Sequence, residues 1–264
     1  MYDYHVHSHF SADCNIPMQE MIQKGISLGL KEICFTDHID YGYQDPSISF
    51  EFDPTLYTQE INQLTEKYKN QIKIRKGLEI GIQPHIIEEC TTLVENGKFD
   101  FVISSIHTAD KKDIHIGDFF LGKTPHEAYE KYFEELLICT QNFKNFNVLG
   151  HMNLLKRYQH HVQVQDIKNY FDIIKEIFST LIYAGKGIEV NTSGFRYHLE
   201  EPIPDKELLS FYKSLGGEVV TIGSDSHQPD HLVYKFDYVY HLLKEIGFKY
   251  IAIFENMKPS FIKI

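Results

Sequence analysis

Seven or eight short, β-rich apolar runs alternate with longer helical patterns, and this alternation constrains the fold more than any other feature of the chain. The strand candidates are residues 2–6, 32–36, 72–78, 101–105, 147–149, 187–190 and 218–222, with 250–254 as an eighth. Helical patterns cover 17–28, 53–68, 84–95, 125–143, 164–184, 205–215 and 231–245. Pro17, Pro54, Pro84 and Pro125 stand where helices begin, and Gly29, Gly97, Gly185, Gly216 and Gly247 stand where they end, as first-turn prolines and C-terminal glycines do. Strands alternating with helices imply a parallel sheet. This many units in 264 residues imply an α/β barrel, read as a single domain over residues 1–264.

Barrels of this kind place their chemistry at the C-terminal ends of the strands, so those ends were inspected one by one. The first strand runs into His5 and His7, the second into Thr36, Asp37 and His38, the third into Glu79. The fourth ends at Ser105 and His107, the fifth at Gly150 and His151, the sixth at Asn191, and the seventh at Ser224, Asp225 and His227. Any one of these histidines by itself reads as a structural or surface residue. Their recurrence at one end of so many strands reads as a metal site. His5 and His7 sit two apart on a strand, so both side chains point to one face, and Asp225 and His227 repeat that spacing. Mixed imidazole and carboxylate ligands suit zinc, iron or manganese, and the lack of cysteine among them argues against a structural zinc site. Glu79 lies in an apolar stretch, where a buried lone carboxylate is costly; bridging two cations answers that cost. Of the other histidines, His85, His115, His126, His160, His161, His231 and His241 read as solvated, and His9 and His198 as intermediate because each lies near a proposed site residue.

Net charge is −11 with 15 histidines. Such a surface disfavours extended nucleic acid, whose binding depends on cationic side chains. No run of apolar residues is long enough for a membrane span. Cys14, Cys34, Cys90 and Cys139 lie far apart, which reads as reduced thiols in a cytoplasmic protein.

The ordered motifs His5-Val6-His7, Thr36-Asp37-His38, Gly77-Leu78-Glu79, Ser105-Ile106-His107, Gly150-His151 and Ser224-Asp225-Ser226-His227 resemble those of the polymerase-and-histidinol-phosphatase (PHP) superfamily. The stretches around Arg157 and Arg196 resemble its histidinol-phosphatase branch. The resemblance implies a distorted (β/α)7 TIM-like barrel and two or three divalent metal ions; the sequence does not decide whether 250–254 joins the barrel. It implies one ion on His5, His7, Glu79 and Asp225, a second on Glu79, His107 and His151, and a third on Asp13, His38 and His227. Asp13 stands where many members carry histidine, and still offers an oxygen donor.

The resemblance further implies hydrolysis of the small phosphate ester L-histidinol phosphate, a step of histidine biosynthesis. Paired cations lower the pKa of bound water and stabilise charge on attacking and leaving oxygens, so the expected route is in-line attack by metal-bound hydroxide without a phospho-enzyme. The chain contains three arginines. Arg157 and Arg196 follow strand ends and are the candidate phosphate ligands, since guanidinium matches a phosphate bidentately; Arg75, early in its strand, reads as structural. Asp37, His38 or a metal-bound water is the candidate proton donor, with Asp37 alternatively orienting a ligand. The loop 41–52, with Tyr41, Tyr43, Asp45 and Glu51, is the expected contact for the amine and imidazole of the substrate. Competing readings are a PHP phosphoesterase acting on nucleotides or phosphotyrosine, a metal-binding domain without catalysis, and an amidohydrolase-type barrel. Oligomeric state is not encoded in any motif.

Overall fold

Seven parallel strands wrap into a nearly closed barrel in the computed structural model, which describes residues 1–44 and 47–264. The barrel strands, in spatial order, are β1 (Tyr2–Val6), β2 (Glu32–Phe35), β4 (Lys73–Gly81), β5 (Phe101–Ser105), β8 (Val148–Leu149), β9 (Gly187–Asn191) and β10 (Val220–Gly223). The two-residue β3 (His38–Ile39) extends the sheet beside β4, in register with Glu79 and Ile80. Closure comes from a bridge between Val6 and Ser226. There the His7 amide donates to the Ser226 carbonyl at 2.9 Å and the Ser226 amide to the His5 carbonyl at 3.3 Å. A short hairpin, β6 (Thr108–Ala109) and β7 (Lys112–Asp113), rises after β5.

Seven helices cover the barrel: α1 (Met18–Ser27), α2 (Pro54–Tyr68), α3 (Ile87–Gly97), α4 (Pro125–Asn142), α5 (Phe171–Tyr183), α6 (Lys206–Ser214) and α7 (Phe236–Ile246). Helix starts follow local chemistry. Asp53 caps α2 by accepting from the Thr55 amide at 2.7 Å. Thr124 and Glu127 form a reciprocal capping box ahead of Pro125. Three helices begin later than their periodicity predicts. Helix α3 starts at Ile87, three residues past Pro84. Residues 167–170 form a 3₁₀ turn ahead of α5, capped by Asp166, and Lys235 sits at a left-handed φ of 61° that excludes it from α7.

The eighth strand candidate becomes β11 (Tyr250–Glu255), which pairs antiparallel with β12 (Lys258–Lys263) rather than joining the barrel. Asn256 and Met257 both take positive φ, the geometry of a two-residue hairpin turn. The hairpin closes the N-terminal mouth. Ala252 and Phe254 pack against Tyr4, Cys34, Phe101, Ile103 and Val148, and the Tyr4 hydroxyl accepts from the Phe254 amide at 2.9 Å.

Strand β4 spans the barrel from end to end. Its alternation puts Arg75, Gly77, Glu79 and Gly81 on one face. At the closed mouth Arg75 pairs with Glu32 at 2.8 Å and Glu255 at 2.9 Å, the structural role expected of it. Gly77 admits the close approach of β2, since a Cβ there would lie 2.6 Å from Cys34 Sγ and from the Phe35 carbonyl. Glu79 emerges at the open mouth.

Candidate active site

Glu79 is fully buried, and five imidazoles surround its carboxylate. His5 Nε2 lies 2.9 Å, His7 Nε2 3.5 Å and His38 Nδ1 3.2 Å from Oε2. His151 Nε2 lies 2.8 Å and His107 Nε2 3.2 Å from Oε1. Ser105 Oγ donates to Oε1 at 2.6 Å. Burial raises the Glu79 carboxyl pKa, but the charges of His5, His38 and His107 overcome it and hold the group well below the usual range. Each oxygen faces a different set of histidines, so the carboxylate divides the cluster in two.

Among the described residues, three groups of donor atoms lie close enough to share an ion: His5, His7 and Asp225; His38, Glu79 and His107; and His7, His38 and His227. Asp13 Oδ2 adds an oxygen 3.1 Å from His227 Nε2 and 3.8 Å from His38 Nε2. Thus His5, His7, Asp13, His38, Glu79, His107, His151, Asp225 and His227 converge on one end of the barrel. Divalent cations suit this donor set. His7 Nε2 and His38 Nδ1 are buried with no hydrogen-bond partner among the described residues, although carboxylate oxygens stand 3.2–3.5 Å away. A buried nitrogen aimed at an oxygen it does not bond is costly alone and is satisfied by a cation between them.

The opposite edges of these rings are held by a second set of residues. His5 Nδ1 meets Glu189 Oε1 at 2.6 Å, and Glu189 Oε2 also accepts from the His151 amide at 2.8 Å. His107 Nδ1 meets Asp40 Oδ2 at 2.8 Å. His7 Nδ1 meets Ser11 Oγ at 3.0 Å, and Ser11 Oγ donates to Asp37 Oδ1 at 2.7 Å. Such contacts fix the tautomer and orientation of a ligating imidazole. Burial opposes the charged form of His5, yet Glu189, Glu79 and Asp225 outweigh it and raise its pKa. Two of the clustered residues, His151 at φ 21° and Asp225 at φ 54°, hold positive backbone angles. Such angles are uncommon outside glycine and concentrate at functional sites.

A cleft opens above the cluster. Two 3₁₀ turns build one wall, residues 154–158 after β8 and residues 192–197 after β9. They carry Arg157 and Arg196. The Arg157 guanidinium donates to Asp225 Oδ2 at 2.8 Å and to Ser193 Oγ at 2.5 Å, and lies 4.7 Å from the centre of the Tyr197 ring. Arg196 donates to the Ser224 and Asp225 carbonyls, both at 2.7 Å. Tyr43, Phe50, Asp113, His115 and Ile116 line other parts of the cleft.

Residues 3–193 match the PHP domain family. The chain belongs to that family. The histidinol-phosphatase of Lactococcus lactis is 35% identical over 262 residues, which is 97% of this PHP chain and 95% of the relative. A relative from Thermotoga maritima is 30% identical over 256 residues, 96% of this chain and 95% of its own. The solved structure of histidinol phosphate phosphatase from Lactococcus lactis, complexed with Zn, L-histidinol and phosphate, superposes with a TM-score of 0.89 at 35% identity over 98% of each chain.

In the PHP barrel the remaining expectations take definite places. Asp37 is fully buried beneath His7, its oxygens accepting from Ser8 N at 2.6 Å, Ser8 Oγ at 2.9 Å and Ser11 Oγ at 2.7 Å. His38 lines the cleft. In the 41–52 loop, Tyr43, Ile48 and Phe50 line the cleft and Glu51 is exposed; Asp45 lies outside the described residues. His115 and His231 line the cleft, whereas the sequence reading left both in solvent. His9 turns away and pairs with Glu60 at 3.4 Å. Glu189, Asp40, Ser11 and Asp113 were not singled out. Glu189 had a usable signal: like Glu79, it is a carboxylate inside an apolar strand.

Proposed function

We propose that this chain hydrolyses L-histidinol phosphate to L-histidinol and phosphate in the cytoplasm, using two or three divalent ions of zinc, iron or manganese. The observation that carries the reading is Glu79, a fully buried carboxylate ringed by five histidines beneath a cleft walled by two arginines. One ion would sit on His5, His7, Glu79 and Asp225, a second on Glu79, His107 and His151, and a third on Asp13, His38 and His227. Bound there, the ions supply an activated water and neutralise charge on the phosphoryl oxygens. Four free, buried cysteines support a reducing compartment. Among the described residues no helix is long and apolar enough to cross a membrane.

The protein's own groups orient and select. Glu189, Asp40 and the Ser11–Asp37 pair hold His5, His107 and His7 in the tautomers that direct their free nitrogens inward. Asp37 therefore acts as an orienting group, because its oxygens are already taken by Ser8 and Ser11. Arg157 and Arg196 present guanidinium hydrogens toward the cleft for the phosphate. The substrate's amine and imidazole need an anionic partner, and the cleft's carboxylates can be sorted by elimination. Asp13, Glu79 and Asp225 belong to the metal cluster and Asp40 holds His107. Asp113 Oδ1 caps the Ile116 amide at 2.8 Å, which leaves its Oδ2 for a cation. Among the described residues the acidic contact is thus Asp113 of the β6–β7 hairpin, while the 41–52 loop gives Tyr43 and Phe50 to the cleft wall.

Phosphate release from histidinol phosphate, a mononucleotide and a phosphotyrosine peptide, each with and without manganese or zinc, tests the proposal. Metal-dependent preference for histidinol phosphate is expected. Preference for either other ester overturns the substrate while keeping the centre, and bound metal with no release from any of them favours a domain without catalysis.

A further inference from the structure

Lys156 stands beside Arg157 in the turn after β8 but points elsewhere, as neighbours in a 3₁₀ turn do. It does not line the cleft. Its ammonium pairs with the Glu201 carboxylate and with Asp205 Oδ2 at 2.9 Å. Both partners belong to the segment that returns from β9 to α6, where Asp205 caps α6 through the Leu208 amide at 3.0 Å.

That return segment is locked to the turn carrying Arg196. Asn191 and Ile203 exchange two backbone hydrogen bonds of 2.8 and 2.9 Å, and the Leu199 amide donates to the Gly194 carbonyl at 3.0 Å. Gly194 packs so closely beneath Glu201 that a Cβ there would lie 2.3 Å from the Glu201 carbonyl oxygen. A displacement of Glu201 or Asp205 therefore carries residues 192–197 with it.

We infer that Lys156 is a positioning residue: its two ion pairs clamp the Arg157 turn to the Arg196 turn and set the spacing of the two guanidinium groups. The inference rests on the reading of Arg157 and Arg196 as phosphate ligands. The side chains are 20% exposed for Lys156, 10% for Asp205 and 31% for Glu201, so solvent screens the Asp205 pair less than a surface pair and the Glu201 pair to an intermediate degree. Arg157 also touches Ser193 and Tyr197 across the same seam, but those contacts lie at the cleft, where a phosphate competes for the guanidinium. Lys156 holds the seam from behind and stays engaged when substrate arrives.

The test uses the manganese-loaded enzyme and compares Lys156→Met, Lys156→Arg, Glu201→Gln, Arg157→Ala and Arg196→Ala. The readouts are KM and kcat for histidinol phosphate, inhibition by inorganic phosphate, bound metal and Tm. Lys156→Met should raise KM and the phosphate inhibition constant together by about 10-fold, the order expected when a binding group is misplaced by a fraction of an ångström, with metal content unchanged. Lys156→Arg should restore both, because it keeps the charge and reach. If the arginine variants weaken phosphate binding and a folded Lys156→Met does not, the clamp is overturned and the phosphate reading stands. If neither arginine variant alters phosphate inhibition, the underlying reading fails. Loss of metal in Lys156→Met, or failure of arginine to rescue, reduces Lys156 to a stability role and overturns the inference. Should Lys156→Met not fold, Glu201→Gln decides: it removes one partner charge, and unchanged phosphate inhibition refutes the clamp.

Discussion

Replacing Glu189 by glutamine exchanges one oxygen for an amide nitrogen and leaves the shape of the barrel wall intact. Glu189 accepts on one oxygen from His5 Nδ1 at 2.6 Å and on the other from the His151 amide at 2.8 Å and Asn191 Nδ2 at 3.1 Å. When His5 Nε2 faces a metal, Nδ1 carries the proton, so both carboxylate oxygens face donors. Glutamine offers one acceptor oxygen and must turn its NH₂ toward the other donor. One charge-assisted hydrogen bond is lost, worth about 1.5–3 kcal/mol, and a donor faces a donor. Removing an orienting partner of a ligating histidine typically costs about 10–100-fold in metal affinity or activity, which at about 1.4 kcal/mol per decade is the same range. Expected is a 10–100-fold rise in the metal concentration needed for half-maximal phosphate release, with most of the wild-type rate recovered at saturating manganese. Competition against a chromophoric chelator reads affinity directly. An affinity within about twofold of wild type would refute the idea that Glu189 tunes the centre through His5.

Glu79→Gln should abolish bound metal and activity together, because five imidazole nitrogens lose their shared anion; metal analysis of purified protein checks it. Asp113→Asn should raise KM for histidinol phosphate by about 10-fold or more, the loss of a hydrogen bond to a charged group, while leaving the hydrolysis of an uncharged-alcohol ester such as p-nitrophenyl phosphate nearly unaltered. Equal effects on both esters would remove Asp113 from substrate selection. Asp3 supplies a pH prediction. Burial raises its carboxyl to about 6, against hydrogen bonds from Ser224, Val233 and His5 that pull the other way. The folded chain therefore binds the proton more tightly than the unfolded chain, and stability gained from this group is present at low pH and lost as pH rises through about 6. Relative to Asp3→Asn, wild-type stability should increase by about 2 kcal/mol between pH 7 and pH 4, measured by denaturant unfolding with chelator present; a flat difference would show that the backbone donors dominate.

The barrel and the convergence of its candidate metal ligands were legible because both depend on period and order. Alternating strand and helix patterns fixed the parallel sheet, and side-chain direction in a strand end follows from its two-residue repeat. His5, His7, Glu79, His107, His151 and Asp225 could therefore be assigned to one end of the molecule before any contact was known. Residues 250–254 were legible as a strand but not as half of a plug, since its partner Lys258–Lys263 is polar and short-range pattern alone does not choose between a barrel edge and a hairpin.

What the sequence determined by itself was the chemistry: which residues are imidazoles and carboxylates, and at which strand ends they fall. The tertiary structure alone decided how they are partnered. Glu189 reaches His5 across 184 residues and Asp40 reaches His107 across 67, distances at which no periodicity operates. It also decided that Asp37 is buried behind His7, that Asp113 lines the cleft, and that Lys156 pairs with Glu201 and Asp205. The identity of the candidate ligands is written in local order, whereas their orientation, partners and spacing arise only when closure of the barrel brings distant strands side by side.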